Sequence, residues 1–424
     1  MRKSIQPIGF SYFSAPEYLI RKRVETWFPL ITQFGGTQVI LPASFSRAIP
    51  EDVFQSAKDH GLEPIVHFTS ELPLARKFND LTIILDSYAR WGVQYIILGD
   101  KPNTKSAWQG TGWQYDNLVD HFLDRFIPIA NYIEQIGMIP VLSPLQPGGD
   151  YWDTAFIEKF FTGLKRRQMS SLLDKTCLAS YGYTFDRPLT WGAGGPEQWP
   201  SSRPYLTPEG QEDQIGFQNF EWIQAVALRV TGRKIPALIL DVGNIGNAGT
   251  VRGSDSVIET IQLILEACHG TDTEAMTNEY PRLNNNLLGC TFSLDTLLMV
   301  FGGELSIDIL GTIFKPGSKG LFDSVKIIGT QKQISHYLLL PWHDSGVSDV
   351  VLNKVRPVIK QLRPTIGFSV EEAAKAHKVT IFPDRILFTD SIINDLRSAG
   401  CTVEVLPQSG IDIAIHLQST AFRN

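Results

Sequence analysis

The chain of 424 residues has few cysteines, no long apolar run and no excess of positive charge. Its four cysteines, Cys177, Cys268, Cys290 and Cys401, stand far apart without a CxxC pair, which argues against a zinc site or a disulfide framework. No segment approaches the ~18 apolar residues of a membrane span, and the start of the chain lacks the apolar core of a secretory signal. The sequence therefore predicts a cytoplasmic protein by default, although export without a leader would leave no trace in it.

Charge and motifs exclude further classes. Lys and Arg total 38 against 44 Asp and Glu, and this net charge of −6 gives no electrostatic reason to expect a nucleic acid or anionic lipid as partner. The sequence contains no Walker, HExxH or EF-hand pattern, and no GxGxxG follows a predicted strand, so we expect no cofactor and no metal. The length and the 43% hydrophobic composition suit two domains, one of them large.

Short apolar runs alternate with amphipathic patterns over the first 325 residues. Each run has the near-continuous apolar character of a strand in a parallel sheet that helices cover. Strands are predicted at 6–13, 37–42, 63–68, 93–98, 138–142, 176–179, 237–240 and 287–292. Helices are predicted at 18–34, 50–60, 81–91, 116–136, 154–166, 214–231 and 254–269. Eight such units predict an α/β protein with a (β/α)₈ TIM barrel at residues 1–325, and this fold builds its active site from the loops that follow the strands.

Three of these loops are rich in aromatic and polar side chains. Five of the nine tryptophans fall in the loops after the fourth, fifth and sixth strands, and the sixth loop is the longest, at roughly 180–213. Aromatic rings around a concave site suit sugars, whose C–H faces pack on the rings while amides and carboxylates bind hydroxyls. Equally, the rings could fill the barrel mouth or pack one loop against another.

Two strand ends carry the chemistry of interest. The fourth strand runs into YIILGDKPN, ending at Gly99-Asp100-Lys101-Pro102-Asn103, and the seventh ends at Leu240-Asp241-Val242-Gly243. These ends resemble those of the cellulase-like (β/α)₈ glycoside hydrolase clan, which has Gly-Asn-Glu-Pro-Asn after strand four and Thr-Glu-x-Gly after strand seven. The stretch 187–222 also resembles uncharacterised bacterial proteins with glycosidase-like barrels.

The resemblance implies an acid/base at Lys101, a hydroxyl-binding residue at Asp100 and a nucleophile at Asp241, but the first and last of these are not the expected Glu. An ammonium group is a poor proton donor to a glycosidic oxygen. Asp retracts its carboxylate by about 1.5 Å relative to Glu, which disfavours the ~5–5.5 Å spacing of a retaining enzyme. An ion pair of Lys101 with Asp241 or Asp100 is therefore the favoured interpretation of this site.

These observations predict a carbohydrate-recognising, glycoside hydrolase-like protein, a pseudoenzyme in which hydrolysis is lost or weak. The ligand would be a glycan or polysaccharide. The residues expected to bind it, with Asp100 and Asp241, are Asn103, Trp108, Trp113, Trp152, Tyr181, Tyr183 and Trp191. One alternative is an active inverting hydrolase that uses Asp100 and Asp241, and another is a structural or assembly protein that uses the barrel as a scaffold.

Residues 326–424 predict a small α/β domain with three parallel strands in HYLLLPW, HKVTIF and CTVEVL, and IDIAIHL as a candidate fourth. The stretch 379–406 resembles the half-Rossmann units of bacterial cell-wall-binding repeats. That resemblance implies an interaction or cell-wall-binding module, through which a protein partner could dock.

Two further features have alternative interpretations. GNIGNAG, residues 243–249, could bind phosphate through loop amides, or could be a loop that turns tightly past the barrel mouth. His67 ends the third strand and could line the site, or could be a hydrogen-bonded structural residue.

Overall fold

The computed structural model describes residues 6–45, 47–69, 78–109, 112–114, 116–244, 254–269, 283–300, 307–314, 334–341, 349–362, 364–383, 388 and 390–407. The chain divides into two compact units, Met1–Ile327 and Ile328–Asn424. Within the described ranges, no helix combines the length and apolar character that crossing a membrane requires.

The first unit is an eight-stranded parallel sheet surrounded by helices, which confirms the predicted (β/α)₈ barrel. The strands are β1 (Ile8–Ser11), β2 (Gln38–Ala43), β3 (Glu63–Phe68), β4 (Tyr95–Leu98), β5 (Ile139–Leu142), β6 (Leu178–Tyr181), β7 (Ala237–Leu240) and β8 (Leu287–Ser293). The helices are α1 (Arg21–Gln33), α2 (Glu51–Asp59), α3 (Phe78–Arg90), α4 (Leu118–Gln135), α5 (Asp153–Arg166), α6 (Ser170–Lys175), α7 (Gly195–Gln198), α8 (Asn219–Thr231), α9 (Ser254–His269), α10 (Leu294–Val300) and α11 (Ile307–Phe314). Single 3₁₀ turns lie at Pro16–Leu19, Lys105–Ala107 and Gly112–Gln114.

The strands pair in the order β5-β4-β3-β2-β1-β8-β7-β6, so β1 joins β8 with Ile8 opposite Cys290. Isolated parallel bridges from Val141 to Cys177 and from Leu145 to Ser180 cross the remaining seam between β5 and β6. The sheet is therefore nearly closed, and all its strand ends meet at one barrel mouth.

Two apolar clusters follow from the alternation of side chains along each strand. One cluster joins the outer face of the strands to the helices, as Val39, Val66 and Leu98 do with Phe54 and Phe122. The other fills the barrel interior with residues of the opposite face: Ile40, Ile65, Ile97, Val141, Ala179, Leu238 and Leu240. Tyr181 and Tyr183 belong to this inner cluster and lie at its mouth end.

Strand β6 begins and ends two residues later than predicted. Thr176 and Cys177 precede it, while Ser180 and Tyr181, which the sequence places in the following loop, belong to the strand. The reason is its pairing with β7, in which Leu178 lies opposite Ala237 and Tyr181 opposite Leu240. Tyr181 therefore lies on a rigid strand.

The second unit is a parallel sheet of four strands in the order β10-β9-β11-β12, with β9 (Ile334–Leu339), β10 (Thr365–Gly367), β11 (Ala376–Ile381) and β12 (Thr402–Val405). Its helices are α12 (Asp349–Leu362), α13 (Val370–Ala373) and α14 (Asp390–Ser398). The predicted α/β class is confirmed. The prediction missed β10, which is too short for a periodic pattern, and IDIAIHL lies outside the described residues.

Candidate functional site at the barrel mouth

The residues after β4 and β7 have an unusual backbone. Lys101 has φ of 46° and Asp241 has φ of 51°, both in the left-handed region that side-chain-bearing residues rarely adopt. Neighbouring segments hold these conformations. The Lys101 amide donates to the carbonyl of Pro144, shortly after β5, at 2.9 Å, and the Val242 amide donates to the carbonyl of Thr291 in β8 at 3.0 Å. Backbone strain of this kind gathers at functional sites, and here it occurs at both strand ends that the sequence singled out.

Lys101 lies against aromatic rings. Its Nζ is 4.7 Å from the centroid of the Tyr181 ring and 5.5 Å from that of Tyr183, and the two rings stack 4.5 Å apart at an angle of 14°. Across the described residues, no carboxylate oxygen lies within 4.0 Å of this Nζ, so the predicted ion pair with Asp241 or Asp100 is wrong. A cation over a desolvated ring gains as much as about 2 kcal/mol, which accounts for the observed position.

Asp100 accepts a hydrogen bond from the Tyr181 hydroxyl. Burial raises the pKa of Tyr181 well above its ordinary value, and the negative charge of Asp100 raises it further. Burial and the charge of Asp241 likewise raise the pKa of Tyr183. Both phenols are therefore neutral at physiological pH, and Tyr181 holds the Asp100 carboxylate in place.

The Asp241 carboxylate is also held at both oxygens. Asn244 Nδ2 donates to its Oδ2 at 2.8 Å, and Thr296 Oγ1 donates to its Oδ1 at 2.9 Å. Burial raises the pKa of Asp241, and the bonds from Asn244 and Thr296 and the charge of Lys101 oppose that rise. We call Asp100, Lys101, Tyr181, Tyr183 and Asp241 the mouth cluster.

His67 supports the turn that presents this cluster. It is buried, and its Nε2 lies 3.0 Å from the Gly99 carbonyl oxygen. Burial lowers its pKa, so the ring is neutral near pH 7 and this nitrogen acts as the donor. Gly99 has φ of 86°, and the hydrogen bond fixes its carbonyl directly before Asp100.

Asn103 and Trp108 lie within the loop packing. Asn103 is 0% exposed and donates from Nδ2 to the carbonyls of Gln146 and Tyr151, at 2.8 and 2.9 Å, while its Oδ1 accepts from the Gln146 amide at 2.8 Å. Trp108 is buried and donates to the Pro102 carbonyl at 2.8 Å. Asn103 thus joins the loop after β4 to the loop after β5.

The other predicted tryptophans are also packed into the protein. Trp152 is buried and Trp113 is half-buried against the outer core. Trp191 donates to Asp213 Oδ1 at 2.9 Å beneath the Arg187 guanidinium. The structure therefore brings Asp100, Lys101, Tyr181, Tyr183 and Asp241 together and places Asn103 and the four tryptophans in the surrounding loops.

Sequence reasoning missed two features of these loops. Tyr205 is 63% exposed, and its ring centroid lies 5.0 Å from that of Trp152. Asp153 is fully buried and accepts from Gln214 Nε2 at 2.8 Å and Asn219 Nδ2 at 2.7 Å. No periodic pattern around Tyr205 in RPYL predicts that its ring is exposed. Asp153 has the sequence context of an ordinary acidic residue in the first turn of a helix, so its burial could not be predicted.

Asp153 makes a pH-dependent contribution to stability. Burial raises its pKa to about 6, although bonds from Asn219 and Gln214 oppose the rise. A folded-state pKa above the unfolded value means that the native protein holds more protons between pH 4 and 6. The free energy of unfolding therefore falls as pH rises through this window, by roughly 2–3 kcal/mol.

Urea unfolding of wild type and Asp153→Asn at pH 4.5 and pH 7.5 tests this expectation. The Asp153→Asn variant loses one hydrogen bond at every pH. Its free energy of unfolding should not show the decrease that wild type shows between pH 4.5 and pH 7.5. Asp59→Asn, on the exposed face of α2, is the control and should follow wild type. Equal pH dependence in Asp153→Asn and wild type would contradict the assignment.

Comparison with known proteins gives structural likeness alone. No protein-family model and no curated protein sequence matches the chain. The barrel is similar to the GH39 enzyme from Xanthomonas axonopodis pv. citri, with 11% identity, a TM-score of 0.41 and coverage of 68% of this chain and 58% of that one. It is also similar to a monomeric β-xylosidase from Caulobacter crescentus CB15, with 9% identity, a TM-score of 0.40 and coverage of 66% and 60%.

An L-ribulose 3-epimerase matches with 12% identity, a TM-score of 0.35 and coverage of 70% of this chain and 86% of the other. The chain spans less than two thirds of the first two proteins. The fold and the mouth cluster define the class as a (β/α)₈ barrel with an acidic and aromatic mouth.

Proposed function

We propose that this protein is a carbohydrate-binding barrel of glycoside hydrolase-like layout in which hydrolysis is lost or weak. The observation that carries the proposal is the Lys101 ammonium, 4.7 Å from the Tyr181 ring centroid, at the strand end where a glycosidase would need a carboxylic acid. Polar and aromatic groups for binding a sugar remain around it: the Asp100 and Asp241 carboxylates and the two tyrosines.

The mouth cluster lacks a good proton donor for the leaving oxygen of a glycoside. Glycoside hydrolysis needs one carboxyl group to protonate the leaving oxygen and a second, ionised one across the sugar ring. Lys101 supplies neither, and an ammonium group transfers a proton poorly to a glycosidic oxygen at neutral pH. Asp241 is shorter than the expected Glu, and Asn244 and Thr296 engage both of its oxygens.

The positive charge of Lys101 also disfavours turnover. The transition state of glycoside hydrolysis resembles an oxocarbenium ion and is positive. At an effective dielectric constant near 20, a fixed ammonium about 5 Å away opposes this charge by about 3 kcal/mol, or about 100-fold in rate. The carboxylates of Asp100 and Asp241 offset part of that repulsion. In a glycosidase the carboxylates would stabilise the positive transition state without a neighbouring cation that opposes them.

The same arrangement of one ammonium group and two carboxylates is compatible with carbohydrate binding. A sugar hydroxyl both donates and accepts hydrogen bonds, so the Lys101 ammonium and the two carboxylates can each serve it. Hydrogen bonds from Tyr181 to Asp100 and from Asn244 and Thr296 to Asp241 preorganise the two carboxylates, which lowers the entropic cost of binding. The C-terminal α/β unit would serve this function as a cell-wall-binding or protein-docking module.

Two assays on the full chain test the proposal. We expect no turnover on a panel of aryl glycosides and polysaccharides, and binding to at least one glycan on an array. Lys101→Met, which removes the charge at similar length, should change the affinity for that glycan, whereas Lys22→Met on exposed α1 should not. The proposal fails if hydrolysis occurs and disappears in both Asp100→Asn and Asp241→Asn.

One observation favours a second candidate function, an inverting glycoside hydrolase. Burial raises the pKa of Asp241, which is the direction that a general acid requires. In this alternative Asp241 would protonate the leaving group and Asp100 would activate water. Its signature would be a rate of hydrolysis that decreases as pH rises through the pKa of Asp241, which distinguishes it from a binding protein without turnover.

A further inference from the structure

A second concave site lies on the side of the barrel. The loop after β6 folds over helices α5 and α8 and borders a partly open cavity of about 120 Å³, lined by Trp152, Trp222, Arg203, Gln214 and Val226 among others. Cavities close to this size accommodate one six-membered ring, as benzene-binding cavities of about 150 Å³ illustrate. None of the mouth-cluster residues lines it, so it is separate from the site of the proposed function.

The charged side chains that line the cavity are two arginines and one glutamate, so the lining carries a net positive charge. Glu158 and Arg229 line it and pair with each other at 3.5 Å. Arg203 also lines it and is exposed, and within the described residues its guanidinium makes no ion pair or hydrogen bond. A planar guanidinium is suited to bidentate recognition of a carboxylate, so Arg203 favours an anionic group on the bound molecule.

The rim that carries Arg203 is well fixed. The Arg203 amide donates to the Leu206 carbonyl at 2.9 Å, and the Leu206 amide donates back at 3.0 Å. Between them Tyr205 has φ of 63°, and its hydroxyl oxygen accepts a hydrogen bond from the Trp152 amide at 2.8 Å. Ser202 Oγ donates to the Glu212 carbonyl at 2.7 Å. The turn is therefore preformed, and little ordering is needed when a ligand binds.

We propose that this cavity binds a six-membered sugar ring that bears a carboxylate, such as a uronic acid unit. Trp152 and Trp222 provide apolar surface for the ring, and Arg203 pairs with the carboxylate. The three features are complementary: ring-sized volume, aromatic lining and an unpaired guanidinium at a fixed rim. This inference is independent of the mouth cluster and of whether the mouth binds a glycan.

A titration followed by NMR tests the proposal on the full chain. The indole N–H signals of Trp152 and Trp222 are recorded while sodium D-glucuronate, D-glucose or sodium acetate is added. We expect a saturable shift with glucuronate and an affinity about ten-fold lower for glucose, which lacks the carboxylate. Acetate, which lacks the ring, should bind comparably weakly.

Arg203→Gln should lower the affinity for glucuronate about ten-fold and leave the response to glucose unchanged. Arg21→Gln is the control, because Arg21 is another exposed arginine and lies on α1. Lys101→Met should leave these indole shifts unchanged, which separates this site from the barrel mouth. The proposal is refuted if glucuronate produces no saturable shift at either indole, or if Arg203→Gln binds glucuronate as tightly as wild type.

Discussion

Replacing Asn103 by alanine is expected to lower the free energy of unfolding of the barrel by about 3–5 kcal/mol. The substitution removes three hydrogen bonds and leaves the Gln146 amide and the Tyr151 carbonyl without the partner that Asn103 supplies, while the Gln146 carbonyl keeps its bond from the Gly149 amide. Each buried polar group that loses its partner costs about 1–3 kcal/mol. The loss should be large because the side chain is completely buried.

Urea unfolding followed by tryptophan fluorescence measures this effect, since eight of the nine tryptophans precede residue 223. Asn117→Ala is the matched control: Asn117 is exposed at the start of α4 and its side chain caps no amide there. It should change stability by less than about 0.5 kcal/mol. If Asn103→Ala weakens glycan binding but leaves stability within 1 kcal/mol of wild type, Asn103 contacts the ligand and is not a structural tether.

Asp213→Ala is expected to cost about 2–4 kcal/mol at pH 7 and to loosen the long loop after β6. Asp213 accepts hydrogen bonds from Arg187 Nη1 at 2.6 Å, Trp191 Nε1 at 2.9 Å, Thr207 Oγ1 at 2.8 Å and the Ile215 amide at 3.0 Å. It is therefore the centre of the polar contacts in that loop. Alanine would leave these donors without their shared acceptor.

The pH dependence gives a second measurement on Asp213. Burial would raise its pKa, but bonds from Trp191 and Thr207 and the charge of Arg187 outweigh burial and lower it. A folded-state pKa below the unfolded value means that the contribution is complete above about pH 4 and decreases as pH falls through the folded-state pKa. The stability difference between wild type and Asp213→Ala should therefore be smaller at pH 3 than at pH 7.

Two variants control this experiment. Asp213→Asn keeps the shape but loses the charge, so its stability should lie between those of wild type and Asp213→Ala. Glu209→Ala changes an exposed acidic residue of the same loop and should behave as wild type. If Asp213→Ala matches Glu209→Ala at pH 7, Asp213 does not hold the loop together.

The sequence predicted the barrel because its strands are buried on both faces. Runs such as 63–68 and 237–240 have no polar alternation, and their bounds agree with β3 and β7. The end of β6 was misplaced because Ser180 and Tyr181 resemble loop residues, and only pairing with β7 shows that they are strand. The three residues of β10 contain too little pattern for any prediction.

The mouth cluster could be predicted in part from the positions of the predicted strand ends. Residues that follow parallel strands converge at one end of a barrel, so Asp100, Lys101 and Asp241 could be brought together without coordinates. Tyr181 and Tyr183 are two residues apart, a spacing that places side chains on one face of a strand, and this signal could have predicted their stacking. The position of the Lys101 ammonium over these rings could not be predicted. It depends on the balance between the attraction of the ammonium to carboxylates and its attraction to aromatic rings.

The tryptophans show the limit of composition as a guide. Their clustering in three loops suggested a sugar-binding surface at the barrel mouth, whereas Trp108 is buried, Trp152 lines the separate cavity beside α5 and α8, and Trp191 is hydrogen-bonded to Asp213. Composition cannot tell an exposed ring from one that fills loop packing, since both occur beside glycine and proline. Tyr205 in the sixth loop does expose its ring, and no pattern in the sequence distinguishes it from its neighbours.

The pairing of β1 with β8 constrains how the chain can fold during synthesis. Ile8 lies opposite Cys290, so the first strand leaves the ribosome about 280 residues before its partner, a delay of about 14–56 s at ordinary translation rates. Throughout that delay one edge of β1 has no neighbour of its own chain. Because unpaired edges invite association with other chains, nascent barrels of this protein depend on dilution or on chaperones until the last strand arrives.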